Sequence, residues 1–152
     1  MPVPVLIGAW RTARALTDHL SEAAENLISA FWPGALTIVV KQAEGLVWDL
    51  GDSAGTVALR MPLQEVAIDL LMETGPLAVS SANRTGGQPP TTVDDARAQL
   101  GNTVAVYLDA GSTPGQVAST IVDVTGVQPR ILREGTITRA RLEGVVGAVG
   151  IG

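Results

Sequence analysis

The sequence predicts an α/β fold, a sheet that mixes parallel and antiparallel strand pairs with helices flanking it. Three observations point there. Segments with helical periodicity alternate with short apolar runs as far as Leu100. Three strand-like runs then follow one another with no helix between them, at residues 104–108, 120–124 and 130–132. A strict strand–helix–strand alternation would put a helix in each gap, so some of these strands must pair antiparallel. Finally, 17 glycines and 9 prolines punctuate the apolar runs, which gives many short connections rather than disorder.

Residues 3–7 form the first apolar run, and Pro4, which cannot donate to a ladder, predicts it as an edge strand. Residues 12–20 and 21–31 are predicted helices. The second begins at Ser21 as N-cap, carries Glu22 and Glu25 in its first turn, and sets Leu27, Ile28 and Phe31 on one face before Pro33-Gly34 ends it. Strands follow at 36–40 and 56–60, joined by a loop from Gly45 to Gly55. Residues 62–74 are a predicted helix, with Val66, Ile68, Leu70, Leu71 and Met72 apolar and Gly75 at its C′ position. Residues 77–79, too few for a helix and preceded by Gly75-Pro76, are predicted as a buried strand. Thr92 caps a helix over 93–100, with Asp95 at the capping-box position, and Thr138 caps a last helix to Val146.

Length and charge bound the function. The 152 residues suit one domain with a substantial core. The apolar fraction of 46% and mean hydropathy of +0.29 lie on the apolar side for such a domain. A net charge of −5 excludes a general electrostatic attraction to nucleic acid or an anionic membrane, so any anion site must be local. There are no cysteines, which excludes disulfides and thiolate zinc sites. A Ser-His-Asp triad would have to use His19, the only histidine, on what is predicted as an exposed helix. No apolar run approaches the ~20 residues that span a bilayer. Asp94, Asp95 and Arg97 are predicted as a solvated helix face, and Asp49 and Asp52 as loop acids rather than a metal site. Trp10, Trp32 and Trp48 could stack a base, although Trp32 before Pro33-Gly34 more often packs. Neither a P-loop nor a dinucleotide-binding glycine motif is present.

The most informative stretch is Leu77 to Gly87, where an apolar run ends in Ser80, Ser81, Asn83, Arg84 and two glycines. Short hydroxyl and amide side chains beside glycines can hold bound oxygens, and the same pattern also makes a plain Asx turn. Two more strand ends carry polar groups: Ser119 and Thr120 open one apolar run, and Arg60 closes another. Arg133, followed by Glu134-Gly135, is of the right chemical class to bind phosphate bidentately.

In chain order, Phe31-Trp32-Pro33-Gly34, the strand ending at Arg60-Met61-Pro62, Ser81-Ala82-Asn83-x-x-Gly86, Ser119-Thr120-Ile121-Val122-Asp123 and Leu132-Arg133-x-Gly135 resemble the YrdC/Sua5 family, the L-threonylcarbamoyladenylate synthases. The resemblance implies a YrdC-like (YrdC/RibB-type) fold, a twisted sheet around a concave cleft, as a single domain over 1–152. It implies ATP-dependent formation of L-threonylcarbamoyladenylate from threonine, bicarbonate and ATP, for N6-threonylcarbamoyladenosine modification of tRNA. Thr56, Ser81, Asn83, Arg133 and the backbone of Pro89 match ATP positions. Arg60 matches the arginine on the threonine carboxylate; Ser119, with the Val79 backbone beside it, matches the threonine site. Adenylation of this kind needs donors around the triphosphate and little covalent help, so no residue is singled out as catalytic. Mg²⁺ would arrive with ATP and be held mostly by its phosphates. A cytoplasmic address and tRNA, or proteins that transfer the intermediate to it, are implied as well.

One departure bears on activity. The family opens with a Pro-Thr-(Asp/Glu)-Thr-x-Tyr-Gly-Leu segment and a Lys-x-Arg pair that grips the phosphates. Neither occurs here, and Met1 to Ile7 resembles the piece that follows them. The expectation is a synthase domain incomplete at its N-terminus with little turnover. The alternative is a catalytically inactive fragment or RNA-binding YrdC-like module that keeps the fold and the cleft.

Overall fold

The computed structural model describes residues 3–51, 53–114 and 118–152, so Met1 and Asp52, named above, lie outside the described residues. The chain divides into two compact units, Met1–Val79 with Ala118–Gly152, and Ser80–Val117.

The first unit holds strands β1 (Pro4–Leu6), β2 (Leu36–Lys41), β3 (Thr56–Arg60), β4 (Leu77–Ala78), β5 (Thr120–Asp123), β6 (Arg130–Arg133) and β7 (Gly150–Ile151). It also holds helices α1 (Trp10–Leu16), α2 (Glu22–Phe31), α3 (Glu65–Thr74) and α5 (Arg139–Val146); α4 (Val93–Leu100) belongs to the second unit. The sheet has seven strands in the order β4-β1-β3-β2-β5-β6-β7. Pairs β1–β3, β2–β5 and β6–β7 are parallel; β1–β4, β2–β3 and β5–β6 are antiparallel. This is the mixed sheet that the run of unseparated strands predicts.

Strand alternation gives the sheet two unlike faces. One carries Val5, Leu36, Ile38, Val40, Val57, Leu59 and Val122, which pack with Leu16, Leu27, Ile28, Phe31 and Leu142 of the helices into the main core. The other carries Thr37, Val39 and Lys41 of β2 in register with Arg60, Ala58 and Thr56 of β3, with Ile121 and Asp123 of β5 beside them. Its apolar content is a small cluster of Val39, Ala58 and Ile121. The remaining positions of β2, β3 and β5 on this face are polar or charged.

A bulge in β6 sorts two of its residues between these faces. Val122 pairs with Ile131, yet the preceding Ile121 pairs with Arg133, so the register shifts by one residue. Residues 131 and 133 would share a face in a regular strand. With the extra residue between them, Ile131 is buried in the core and Arg133 stands on the opposite face, beside Ile121.

Several boundaries differ from expectation. β1 is not an edge strand; it lies between β3 and β4. Pro4 is tolerated because it opens the strand and takes part through its carbonyl, which accepts from the Val79 amide at 2.9 Å. The edge is β4, and the run expected to be buried has Leu77 half-buried and Ala78 exposed. α3 begins at Glu65 rather than Pro62, since the Gln64 side chain caps it by accepting from the Ala67 amide at 2.8 Å. Of its apolar residues only Leu71 is buried. Residues 104–108 are not a strand: Val106 and Leu108 are exposed, and the Tyr107 hydroxyl donates to the Gly101 carbonyl at 2.7 Å. β7, in a short Gly-Ile stretch at the end, was not foreseen. Elsewhere β3 and α4 have the expected bounds, and Thr92 accepts from the Asp95 amide at 3.1 Å. Trp32 packs against the core and donates its indole N–H to the Leu36 carbonyl at 2.8 Å. Among the described residues, no helix is long and apolar enough to cross a membrane.

Helix caps give a test of this reading. The Ser21 hydroxyl accepts from the Ala24 amide at 3.2 Å, whereas Thr138 makes no side-chain cap bond to α5. Ser21→Ala should lower unfolding free energy by about 1 kcal/mol in urea titrations, and Thr138→Ala by less than about 0.5 kcal/mol.

Candidate functional site

The polar face of the sheet brings three expected residues together. Arg60 ends β3 half-buried, and its Nε donates to the Gly34 carbonyl at 2.9 Å. Gly34 is itself held, its amide donating to the Met61 carbonyl at 2.8 Å, and a Cβ there would lie 2.5 Å from the Phe31 carbonyl oxygen. Arg133 is tied to Ser119 twice: Nε donates to the Ser119 carbonyl at 3.0 Å, and Nη2 to its Oγ at 3.1 Å. Burial lowers the pKa of Arg60, and the positive charge of Arg133 pushes it the same way. Arg60 stays cationic regardless. The two guanidinium groups are thus close enough to repel, and among the described residues neither makes an ion pair. Two cations that share a surface with hydroxyls and lack a carboxylate form a place for an anion.

Asp123, at the far end of β5, does not fill that gap. Burial raises its pKa, but hydrogen bonds from the Thr125 hydroxyl and amide, and from Arg130 with its charge, outweigh burial and leave it below the usual carboxylate range.

The loop behind Arg133 is fixed by Thr120, whose buried hydroxyl donates to the Ile137 carbonyl at 2.7 Å and accepts from the amides of Gly135 at 2.9 Å and Ile137 at 3.0 Å. That uses its one donor and both acceptor sites. Gly135 is required by this close approach, because a Cβ would fall onto the Ala118 carbonyl and 2.8 Å from the Ser119 carbonyl oxygen.

The other expected residues are placed differently. Thr56 shares the face of Arg60 but opens the strand that Arg60 closes, about 13 Å away along it, and its hydroxyl donates to the Ser53 carbonyl at 2.6 Å. Val79 is not beside Ser119. It follows β4 at the sheet edge, four strand spacings or roughly 19 Å from β5. Ser81, Asn83 and Pro89 belong to the second unit. There Asn83 closes the turn, its Nδ2 donating to the carbonyls of Arg84 at 2.9 Å and Gly87 at 3.1 Å. Its Oδ1 is buried and without a partner among the described residues. Gln99 of α4 braces the same turn, accepting from the Arg84 amide at 3.3 Å and donating to the Gln88 carbonyl at 3.0 Å. The Asx-turn alternative is therefore real locally, and it leaves one amide oxygen for another donor. Ser81 and Pro89 are exposed.

Sequence reasoning missed Thr37 and the holding role of Gly34. A hydroxyl within the apolar run Leu36-Thr37-Ile38-Val39-Val40 was the available signal. Thr37 is 3% exposed, and its hydroxyl lies 3.2 Å from the Ser119 hydroxyl.

The Sua5/YciO/YrdC family model, described as "Telomere recombination", matches residues 1–135 and so runs through both units. A Mycobacterium tuberculosis relative provisionally named threonylcarbamoyl-AMP synthase is 56% identical over 147 residues, covering 97% of this chain and 68% of its own. The threonylcarbamoyl-AMP synthase of Bacillus subtilis is 35% identical over 150 residues, 97% of this chain and 43% of its own. Among solved structures, Pyrococcus abyssi Sua5 complexed with L-threonine superposes with a TM-score of 0.93 at 32% identity, covering 99% of this chain. The chain spans 45% of the length of that structure.

The close packing around Ser119 can be probed with two glycines. Gly135→Ala should cost about 1–3 kcal/mol in urea unfolding, because the Ala118–Ser119 backbone must move. Gly144→Ala, in α5 where a Cβ meets nothing within 4 Å, should stabilise by about 0.5–1 kcal/mol. A neutral Gly135→Ala would contradict the packing described.

Proposed function

The chain belongs to the Sua5/YciO/YrdC family, and from that premise we propose that it carries the substrate face of an L-threonylcarbamoyladenylate synthase. The observation that carries this reading is Arg60 and Arg133 on one face of the sheet, Arg133 held by the Ser119 hydroxyl, two cations with no carboxylate partner among the described residues.

In this reading Arg60 holds the threonine carboxylate, its Nε fixed by Gly34 and its remaining N–H groups free to fork. Ser119 touches the same amino acid. Arg133 donates to ATP, with Thr56 of the same unit as a further contact. The threonine amine adds to the carbon of bicarbonate and water leaves, giving a carbamate. A carbamate oxygen then attacks the α-phosphorus of ATP, and the bond to pyrophosphate breaks. The protein's share is to place the two anions together and to offset the charge that develops, which electrostatic preorganisation does without covalent participation. The face offers guanidinium and hydroxyl groups, so it suits phosphates that bring their own Mg²⁺ rather than a metal held by protein carboxylates. The product is the activated group for N6-threonylcarbamoyladenosine in tRNA, delivered through tRNA-side partners, and the setting is the cytoplasm, where these substrates meet.

Isothermal titration with L-threonine and with ATP tests the assignment. Arg60→Lys keeps the charge but loses the fork, and should weaken threonine about tenfold or more while changing ATP less. Arg133→Ala should do the reverse, at a loss of about 2 kcal/mol for ATP. Equal losses for both ligands in both variants would mean that these arginines support the fold instead.

A further inference from the structure

Resting on the assignment of threonine to Arg60 and Ser119, we infer that Thr37 is a positioning residue which makes the Ser119 hydroxyl an obligatory donor to the substrate carboxylate. Thr37 is 3% exposed on the polar face of β2. Its neighbour Ile38 pairs with Leu59, so Thr37 stands opposite Arg60 and between Arg60 and Ser119. Among the described residues the only hydrogen-bond partner of its hydroxyl is Ser119 Oγ, at 3.2 Å.

A hydroxyl has one proton to give and two lone pairs to fill. Among the described residues the proton of buried Thr37 has one acceptor in reach, Ser119 Oγ, and leaving that bond unmade would strand a buried donor. Thr37 therefore donates. Ser119 Oγ already accepts from Arg133 Nη2 at 3.1 Å, so both of its lone pairs are occupied. Its own proton is the one capacity left, and it points away from both donors, to a bound oxygen. Ser119 thus cannot accept from the ammonium or amine of the amino acid. It discriminates for an acceptor, and the carboxylate held by the adjacent Arg60 is the acceptor at hand. Removing the Thr37 hydroxyl would free a Ser119 lone pair and let the Ser119 rotor turn, weakening the contact without touching the ligand.

The experiment is titration of the chain with L-threonine, comparing wild type, Thr37→Val, Thr37→Ser and Ser119→Ala, with melting temperature measured alongside. Thr37→Val keeps the shape and should weaken threonine about tenfold, while Thr37→Ser, which keeps the donor, should restore most of it. In the Ser119→Ala background Thr37→Val should have no further effect on threonine, because the two act through one bond. Wild-type binding that Thr37→Val leaves intact, or an undiminished effect in the Ser119→Ala background, overturns the inference. If Thr37→Val does not fold, a Thr37→Ser affinity as poor as that of Ser119→Ala overturns it equally. Absence of threonine binding by wild type overturns the site assignment itself, and this inference with it, which sets that failure apart from the others.

Discussion

Everything at this site depends on two guanidinium groups that share one face of a sheet and are held by neutral partners. Arg60 is fixed by a backbone carbonyl, and Arg133 by a carbonyl and a hydroxyl. Three other arginines, Arg14, Arg130 and Arg139, each sit on a carboxylate instead. A neutral anchor fixes direction but leaves the charge unmatched. In a protein of net charge −5, that makes a local anion site without any general attraction to anions.

The fold supplies this arrangement through parity. The core needs Ile131 on the helix side of β6, and regular alternation would then bury Arg133 with it. The one-residue shift opposite Ile121 and Val122 separates them. The cost is a locally irregular ladder, and the structure compensates behind it. Thr120 satisfies the amides of the following loop with a fully used hydroxyl, and Gly135 allows that loop to close on Ala118 and Ser119. On the far side of the unit, α2 and α5 cover the apolar face, so packing energy is gathered on one side and chemistry is left on the other.

Much of this was legible in the sequence where local chemistry decides. Caps and periodicity gave α2, α4 and β3 nearly to the residue, and the hydroxyl- and arginine-bearing strand ends singled out Arg60, Ser119 and Arg133. What escaped depends on partners far along the chain. Pro4 argued for an edge, but it is the position within the strand that decides, and a proline that opens a strand can sit beside two neighbours. Residues 77–79 and 104–108 are apolar enough for buried strands, yet burial requires something to lie against, and neither stretch is covered in that way. The bulge leaves no mark in composition, so the side on which Arg133 stands could not be read. Thr37 was hidden for the opposite reason, as a β-branched residue that suits any strand. Val79 was assigned next to Ser119, and only the strand order shows the distance between them.

The central claim is that Arg60 and Arg133 carry the unmatched charge. Arginine Nε–Hε resonances report it directly, followed by NMR while ATP and L-threonine are added. The account expects the signals of Arg60 and Arg133 to move with saturation, and those of Arg14, Arg130 and Arg139, already on carboxylates, to stay in place. Movement of the ion-paired arginines with Arg60 and Arg133 unmoved would contradict it.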